Sequence, residues 1–195
     1  GWDITKTLRL INQMNPSVTE WLYSPIVYIK NDVCGDGFDF ARSGRELLEK
    51  HETILPLLFH YRSMAKSNYK SHIEGRQKVK IKKYLYVIRP AGMFEWLLLK
   101  RRERCEGTQQ QLIEIDFNKI LTELREHMDA ECYENILNAI EKKKTTKEMD
   151  EEPRIASIDK WIEEILNNRD AQLKELERMI PPKHPVDDFD QLLHK

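Results

Sequence analysis

The sequence lacks the features that mark secreted, zinc-binding or membrane-spanning proteins. Its three cysteines are far apart and form no C-x-x-C pair, which argues against a disulfide framework and a structural zinc site: Cys34, Cys105 and Cys132. The longest apolar run, at 93–99, is interrupted by Glu95 and is far too short to cross a bilayer. No hydrophobic signal segment opens the chain. We therefore expect an intracellular chain with reduced thiols, most simply cytoplasmic and without a membrane partner.

Glycine and alternating β-branched residues are also scarce, and this favours helices. The chain has 7 glycines in 195 residues, while its 40% hydrophobic content is enough to build a core. Apolar residues recur at helical spacing throughout, for example at Ile158, Ile162 and Ile165. The pattern predicts an all-α, multi-helix bundle with roughly seven to eight helices in a single domain, residues 1–195. Within it, Val79 to Arg102 and Ser157 to Ile180 are each expected to form one long helix.

The near-neutral total charge hides a strong asymmetry along the chain. Residues 60–104 carry 13 basic and 3 acidic side chains, whereas residues 105–195 carry 13 basic and 22 acidic ones. A basic segment of this kind favours a polyanionic partner for residues 60–104. The alternative is intramolecular, with the acidic half, residues 105–195, neutralising the basic one. The charge-rich stretch 142–153 within that half is expected to be a mobile linker.

Motifs of self-contained active sites are absent. The sequence has no G-x-x-x-x-G-K-[ST] phosphate loop, no G-x-G-x-x-G and no G-x-S-x-G. His51-Glu52 opens like a zinc-protease motif, but Leu55 stands where the second histidine is needed. The stretch 32–43 is only superficially similar to a calcium loop, since Cys34 and Ser43 occupy ligand positions. We therefore assign no catalytic and no metal-binding residue.

The stretch 60–96 interleaves basic and aromatic residues and is the most informative part of the sequence. Lys82, Tyr86 and Arg89 fall on one side of a helix at about 100° per residue. Basic groups can neutralise phosphates, and tyrosines can stack on bases or form hydrogen bonds. A solvated helix face is the alternative, with the core on the opposite side formed by Ile81, Leu85 and Ile88.

Three ordered blocks of residues resemble one known family. The first holds Gly1-Trp2-Asp3, Lys6, Asn15-Pro16, Glu20-Trp21-Leu22 and Ser24 to Tyr28. The second holds His60-Tyr61, Ser63-Met64-Ala65 and Tyr69, and the third holds Lys82-Lys83-Tyr84, Tyr86, Arg89-Pro90 and Trp96. Together they resemble the YcgL-type predicted nucleotidyltransferases of the DNA polymerase beta superfamily. Residues 155–165 also fit the closing helix of that family, though weakly.

The sequence departs from that family in its catalytic motifs. Such enzymes carry a G-S motif and a D-x-D pair, whose carboxylates hold the divalent metals. Neither motif is present here, and Ser43-Gly44 has the reverse order. The resemblance therefore implies that a catalytic α/β domain precedes Gly1 in the full protein. A Mg²⁺ or Mn²⁺ cofactor is implied by the family only, with its ligands outside this chain.

The resemblance implies that this helical part helps to bind a nucleoside triphosphate for nucleotidyl transfer. The acceptor, a nucleic acid or a protein, stays open. Related members use basic and tyrosine side chains of such a helical region on the triphosphate and base, so the helices of residues 1–104 are expected to face the nucleotide. By that analogy the candidate nucleotide-binding residues are Lys66, Lys82, Lys83, Tyr84 and Arg89, with Lys6 as a further one.

Two other functions are compatible with the residues. One is a non-catalytic helical adaptor that binds RNA or protein through its basic strip. The other is a purely structural bundle in which three tryptophans anchor the core: Trp21, Trp96 and Trp161.

The missing carboxylates make a first prediction, that this chain alone transfers no nucleotide. Incubation with Mg²⁺ or Mn²⁺, labelled triphosphates and candidate acceptors should give background signal only, because nothing in the chain would hold the metals. Metal-dependent labelling that persists through repurification would contradict the absence of a catalytic centre.

Overall fold

The structure, a computed structural model, is built almost entirely of helices, and the all-α prediction is confirmed. It describes residues 3–26, 39–50, 54–105, 113–145 and 151–179. In chain order the elements are α1 (Ile4–Asn12), α2 (Pro16–Leu22), α3 (Phe40–Lys50), α4 (Leu55–His72), β1 (Lys78–Lys80), α5 (Ile81–Cys105), α6 (Phe117–Leu124), α7 (Ala130–Thr145), β2 (Glu151–Pro153), α8 (Ala156–Asn168) and α9 (Asp170–Met179). A short 3-10 turn, Arg125–His127, follows α6.

Side-chain caps fix the starts of five of these helices, and α1, α2 and α6 are three examples. The Asp3 carboxylate accepts a hydrogen bond from the backbone N–H of Lys6 at 2.8 Å, and Asp116 accepts one from Asn118 at 3.0 Å. Asn15 caps α2, with Pro16 at its first helical position. Because a cap satisfies backbone N–H groups that have no partner inside the helix, these short polar residues place the helix starts.

Helix α5 is the centre of the fold. It packs against α4 along most of its length and also contacts α6, α7 and α8. Its middle is buried around Phe94, Trp96 and Leu97. Pro90 lies inside it and is buried as well, so the helix continues past a residue without a backbone N–H. The buried apolar residues of both halves of the chain form one contiguous cluster around it.

The segment before α5 differs from the prediction. Val79 was expected to begin the helix, but residues 78–80 form β1, which pairs antiparallel with β2 so that Lys80 lies opposite Glu151. Gly75, at a φ of 72°, makes the turn that leads into β1, a conformation that glycine adopts without a steric cost. Val79 is 2% exposed, so the strand buries its apolar residue.

Two boundaries in the C-terminal half also need correction. The predicted linker 142–153 is helical up to Thr145 and forms β2 from Glu151, while residues 146–150 lie outside the described part. The predicted single helix from Ser157 is divided into α8 and α9 at Arg169. The guanidinium of Arg169 donates two hydrogen bonds to the Glu95 carboxylate, both at 2.9 Å. This bidentate pair ties the helix junction to α5.

The three tryptophans do not share one role. Trp96 is 1% exposed, and its Nε1–H donates to Glu123 at 3.0 Å. Trp161 is half-buried against the core. Trp21 is 63% exposed, so its predicted role as a core anchor is wrong. Val18 and Leu22 supply the buried side of α2 instead, since Trp21 lies on another side of that helix.

Candidate functional site

Helices α4 and α5 form an antiparallel hairpin that carries most of the sequence-predicted site residues. The Asn68 side-chain amide donates a hydrogen bond to the backbone carbonyl of Tyr86 at 2.9 Å. This contact sets the register of the two helices. The C-terminal turn of α4 therefore lies beside the first turn of α5.

One side of the first turns of α5 is partly or fully exposed to solvent. We call Lys82, Lys83, Tyr86 and Arg89 the outer face of α5. Tyr86 is 43% exposed, and the Lys83 ammonium lies 5.1 Å from the centre of its ring. A cation at this distance from an aromatic face is attracted to it, which holds Lys83 beside the ring. The structure thus brings three of the predicted residues together around a tyrosine.

Arg89 lies at the edge of the outer face, where α2 approaches the hairpin. The Tyr61 hydroxyl of α4 donates to the Glu20 carboxylate of α2 at 2.7 Å. Burial raises the pKa of Tyr61, Glu20 raises it further, and the positive charge of Arg89 partly opposes that shift. Arg89 forms no ion pair within the described residues and is exposed. Its guanidinium is therefore available to an anionic ligand.

Tyr84, predicted to contact a nucleotide, is instead part of the core. It is 1% exposed, its hydroxyl donates to Asp159 at 2.8 Å, and the same oxygen accepts from the backbone N–H of Ile155 at 3.1 Å. Arg154 also donates to Asp159 at 2.8 Å. A base cannot stack on a ring that is buried on both sides. We correct the assignment of Tyr84 to a structural one.

A second tyrosine extends this cluster toward the surface. The Tyr69 hydroxyl donates to Glu163 at 2.5 Å and accepts from Arg154 at 3.2 Å. We call Tyr69, Tyr84, Arg154, Asp159 and Glu163 the α8 cluster. It joins α4 and α5 to α8, over sequence separations of 75 to 94 residues. No local sequence pattern reveals contacts over such separations.

Lys66 and Lys6 are not part of the outer face. Lys66 and Asn68 are two residues apart on α4, so at about 100° per residue they lie on nearly opposite sides of that helix. Asn68 contacts α5, whereas Arg62, one turn before Lys66, donates to the Leu166 carbonyl of α8 at 2.6 Å. Lys6 lies on α1, which packs mainly against α2 and α3. Both lysines are exposed, but the structure does not bring them to the other candidates.

The acidic half neutralises only part of the basic segment. Lys100 is 7% exposed and forms an ion pair of 2.5 Å with Glu123. Among the described residues, Lys66 and Arg89 have no such partner. Neutralisation by the acidic half therefore accounts for the positive charge at the C-terminal end of α5. The rest of the α4–α5 hairpin keeps an excess of positive charge.

A shallow cavity of about 320 Å³ opens between the first turns of α7 and α8. Its lining includes Asp129, Cys132, Trp161 and Glu164. Burial raises the pKa of the Cys132 thiol to about 12, with Asp129 and Glu164 adding to the shift. A thiol with this pKa stays protonated at neutral pH and is a poor nucleophile. The cavity therefore offers no cysteine chemistry.

The described ranges contain no group of three or more His, Cys, Asp or Glu side chains that could hold a metal ion. No helix in those ranges is both long enough and apolar enough to span a membrane. The part of the chain that the structure describes therefore contains no ligand set for the divalent ion that the resemblance implies.

Comparison with known proteins agrees with the resemblance and defines a DNA polymerase beta-type protein. The chain belongs to the RNA repair pathway DNA polymerase beta family, RlaP, which it matches over residues 1–195. It is similar to the uncharacterized protein YcgL of Bacillus subtilis (strain 168), with 34% identity over 176 residues. The match covers 90% of this chain and 61% of that relative, so the chain spans less than two thirds of the relative's length. No solved structure matches the chain significantly.

The α8 cluster makes a prediction about stability. Tyr84→Phe leaves the Asp159 carboxylate without one donor and the Ile155 N–H without its acceptor, so unfolding should become easier by about 1–3 kcal/mol. Tyr86→Phe is the matched control and should change the free energy of unfolding by less than about 0.5 kcal/mol, because its ring is exposed. Urea unfolding measures both. Equal effects of the two substitutions would contradict the structural role of Tyr84.

The same cluster predicts a loss of stability at alkaline pH. Burial, with a contribution from Asp159, raises the pKa of Tyr84 from its ordinary value of 10.0 to about 12. The unfolded chain ionises this tyrosine first, so its contribution is complete below pH 10 and is lost as the pH rises through about 12. The melting temperature, measured by circular dichroism at several pH values across this range, should fall less steeply with pH for Tyr84→Phe than for the wild type. An equal fall in the two proteins would contradict this account.

Proposed function

We propose that this chain is the helical part of a nucleotidyltransferase and helps to bind a nucleoside triphosphate through the outer face of α5. Membership of a DNA polymerase beta family supports nucleotidyl transfer as the reaction of the whole protein. The observation that carries the proposal is the gathering of Lys82, Lys83 and Arg89 around the exposed Tyr86. A nucleoside triphosphate suits this surface, because its phosphates need positive charges and its base can stack on an aromatic ring.

Each side chain of the outer face has a distinct task in this proposal. The lysines and Arg89 neutralise phosphate oxygens and stabilise the charge that develops on the leaving pyrophosphate. Tyr86 takes the stacking role that the sequence assigned to Tyr84, since its ring is accessible. Lys66 and Lys6 have no part in this contact.

The proposal places the metal-binding carboxylates in another region of the longer protein. The Bacillus relative is longer than the match, which leaves room for such a region. In the family, a Mg²⁺ or Mn²⁺ ion held by carboxylates would activate the nucleophile and the triphosphate. The part played by this chain is to bind and orient the triphosphate. The acceptor would be a nucleic acid or a protein.

A second candidate function is an adaptor that binds RNA through the same positively charged hairpin. The family description, which names an RNA repair pathway, favours RNA over protein as its partner. Such binding depends on the number of phosphate contacts and weakens steeply with salt. An adaptor does not need to bind a mononucleotide, whereas a nucleotidyltransferase must bind its triphosphate. Triphosphate binding therefore distinguishes the two functions.

The central test substitutes two charged residues of the outer face in the full-length protein. Lys83→Ala and Arg89→Ala should each weaken triphosphate binding by about tenfold or more, since a charge-assisted contact to phosphate contributes about 1.5–3 kcal/mol. Melting temperatures should barely change, because exposed charges contribute little to stability. Titration calorimetry measures the binding.

Lys174→Ala, on the exposed side of α9, is the matched control and should leave triphosphate binding unchanged. Tyr86→Phe should also bind normally, because stacking needs only the ring, whereas Tyr86→Ala should bind more weakly. Triphosphate affinity within about twofold of the wild type for Lys83→Ala and Arg89→Ala would reject the proposal in favour of the adaptor.

A further inference from the structure

A second group of basic side chains lies where α4 ends and α5 begins. We call His72, Arg76 and Lys83 the hairpin corner. The Arg76 guanidinium donates to the Ser71 carbonyl at 3.0 Å, which holds it against the last turn of α4. The hydrogen bond between Asn68 and the Tyr86 carbonyl brings the next turn of α4, with His72, beside the first turn of α5. Three basic side chains from two helices and their connection thus meet at one place.

The electrostatics of His72 support this arrangement. Partial burial lowers the pKa of His72, and the positive charges of Lys83 and Arg76 lower it further. Glu74 is the one acidic residue between Ser71 and Lys80, and the causes of the lowered pKa of His72 are burial and the two neighbouring cations. The corner is therefore a place where basic side chains repel one another. A bound anion would relieve the repulsion.

The corner and the outer face of α5 are continuous, because Lys83 belongs to both. Along α5 alone, Lys82 and Arg89 are about 10 Å apart at 1.5 Å per residue, and the corner extends the track beyond the start of the helix. Tyr86 lies between the two ends. A track of cations with an aromatic ring inside it suits a chain of phosphates with exposed bases better than a single mononucleotide.

We propose that the hairpin corner binds a backbone phosphate of a single-stranded nucleic acid, which is the acceptor strand of the reaction. This inference rests on the proposed function, since it extends the same face from the triphosphate to its acceptor. His72 and Arg76 hold the phosphate, Lys83 is shared between the two ligands, and Asn68 keeps the helices in register. A duplex hides its bases, so it gains nothing from the Tyr86 ring.

The test compares two ligands on the same variants of the full-length protein. Arg76→Gln should weaken binding of a labelled single-stranded RNA of about 12 nucleotides by about fivefold or more, and lower the salt slope of that binding by about one. Binding of a Mg²⁺-triphosphate should stay within about twofold of the wild type. Arg178→Gln, on an exposed position of α9, is the matched control for both ligands. Fluorescence anisotropy measures the RNA and calorimetry the triphosphate.

An unchanged RNA affinity in Arg76→Gln would overturn the inference. An equal loss of affinity for RNA and for the triphosphate would also overturn it, because the corner would then be part of the triphosphate site. If Arg89→Ala spares the triphosphate while Arg76→Gln still weakens RNA binding, the proposed function fails and the corner remains a nucleic-acid site. A second measurement needs no substitution. In NMR pH titrations the RNA should raise the pKa of His72, because its phosphate compensates Lys83 and Arg76. An unchanged His72 pKa would overturn the inference.

Discussion

The paired carboxylate of Asp159 is the constraint on which the rest of the structure depends. It is 9% exposed and accepts hydrogen bonds from both Tyr84 and Arg154. A buried carboxylate is costly unless it has such partners, so α8 can pack only where both donors reach it. This contact fixes the rotation of α5 about its own axis. With Tyr84 turned inward, Tyr86 must lie on a different side, because two residues along a helix differ by about 200°.

The distribution of charge follows from the same packing. The α8 cluster and the pair of Lys100 with Glu123 bring acidic residues of the C-terminal half against the basic hairpin. These contacts lie on the buried side and at the far end of α5. Arg89, at the edge of the outer face, forms no ion pair among the described residues. Internal neutralisation and the proposed anion-binding surface therefore lie on one helix, at different positions along it.

Much of the fold could be predicted from the sequence, because local rules determine it. Apolar spacing gave the helical class, and the caps at Asp3, Asn15 and Asp116 placed the helix starts. The family was recognisable from the ordered blocks of residues. The two short strands could not be predicted, since each has three residues and depends on a partner more than 70 residues away. The break at Arg169 likewise depends on Glu95, 74 residues earlier.

The candidate site could be predicted only in part. Spacing placed Lys82, Tyr86 and Arg89 on one helix face, and the family resemblance added Lys83; the structure puts all four on the first turns of α5. Spacing could not decide between Tyr84 and Tyr86, because the burial of Tyr84 depends on Asp159, far along the chain. Lys66 was predicted by analogy with the family, and its side of α4 depends on where α8 packs. Contacts of α8 therefore determine which basic and aromatic residues remain available to a ligand.

The most direct test of the account is to map the triphosphate on an isotope-labelled chain by NMR. Adding a Mg²⁺-triphosphate should shift backbone amide signals in the first two turns of α5, around Lys82, Tyr86 and Arg89. Signals of α7 and α9 should stay in place. Shifts centred on the α7–α8 cavity, or no shifts at millimolar ligand, would contradict the claim that the outer face of α5 binds the nucleotide.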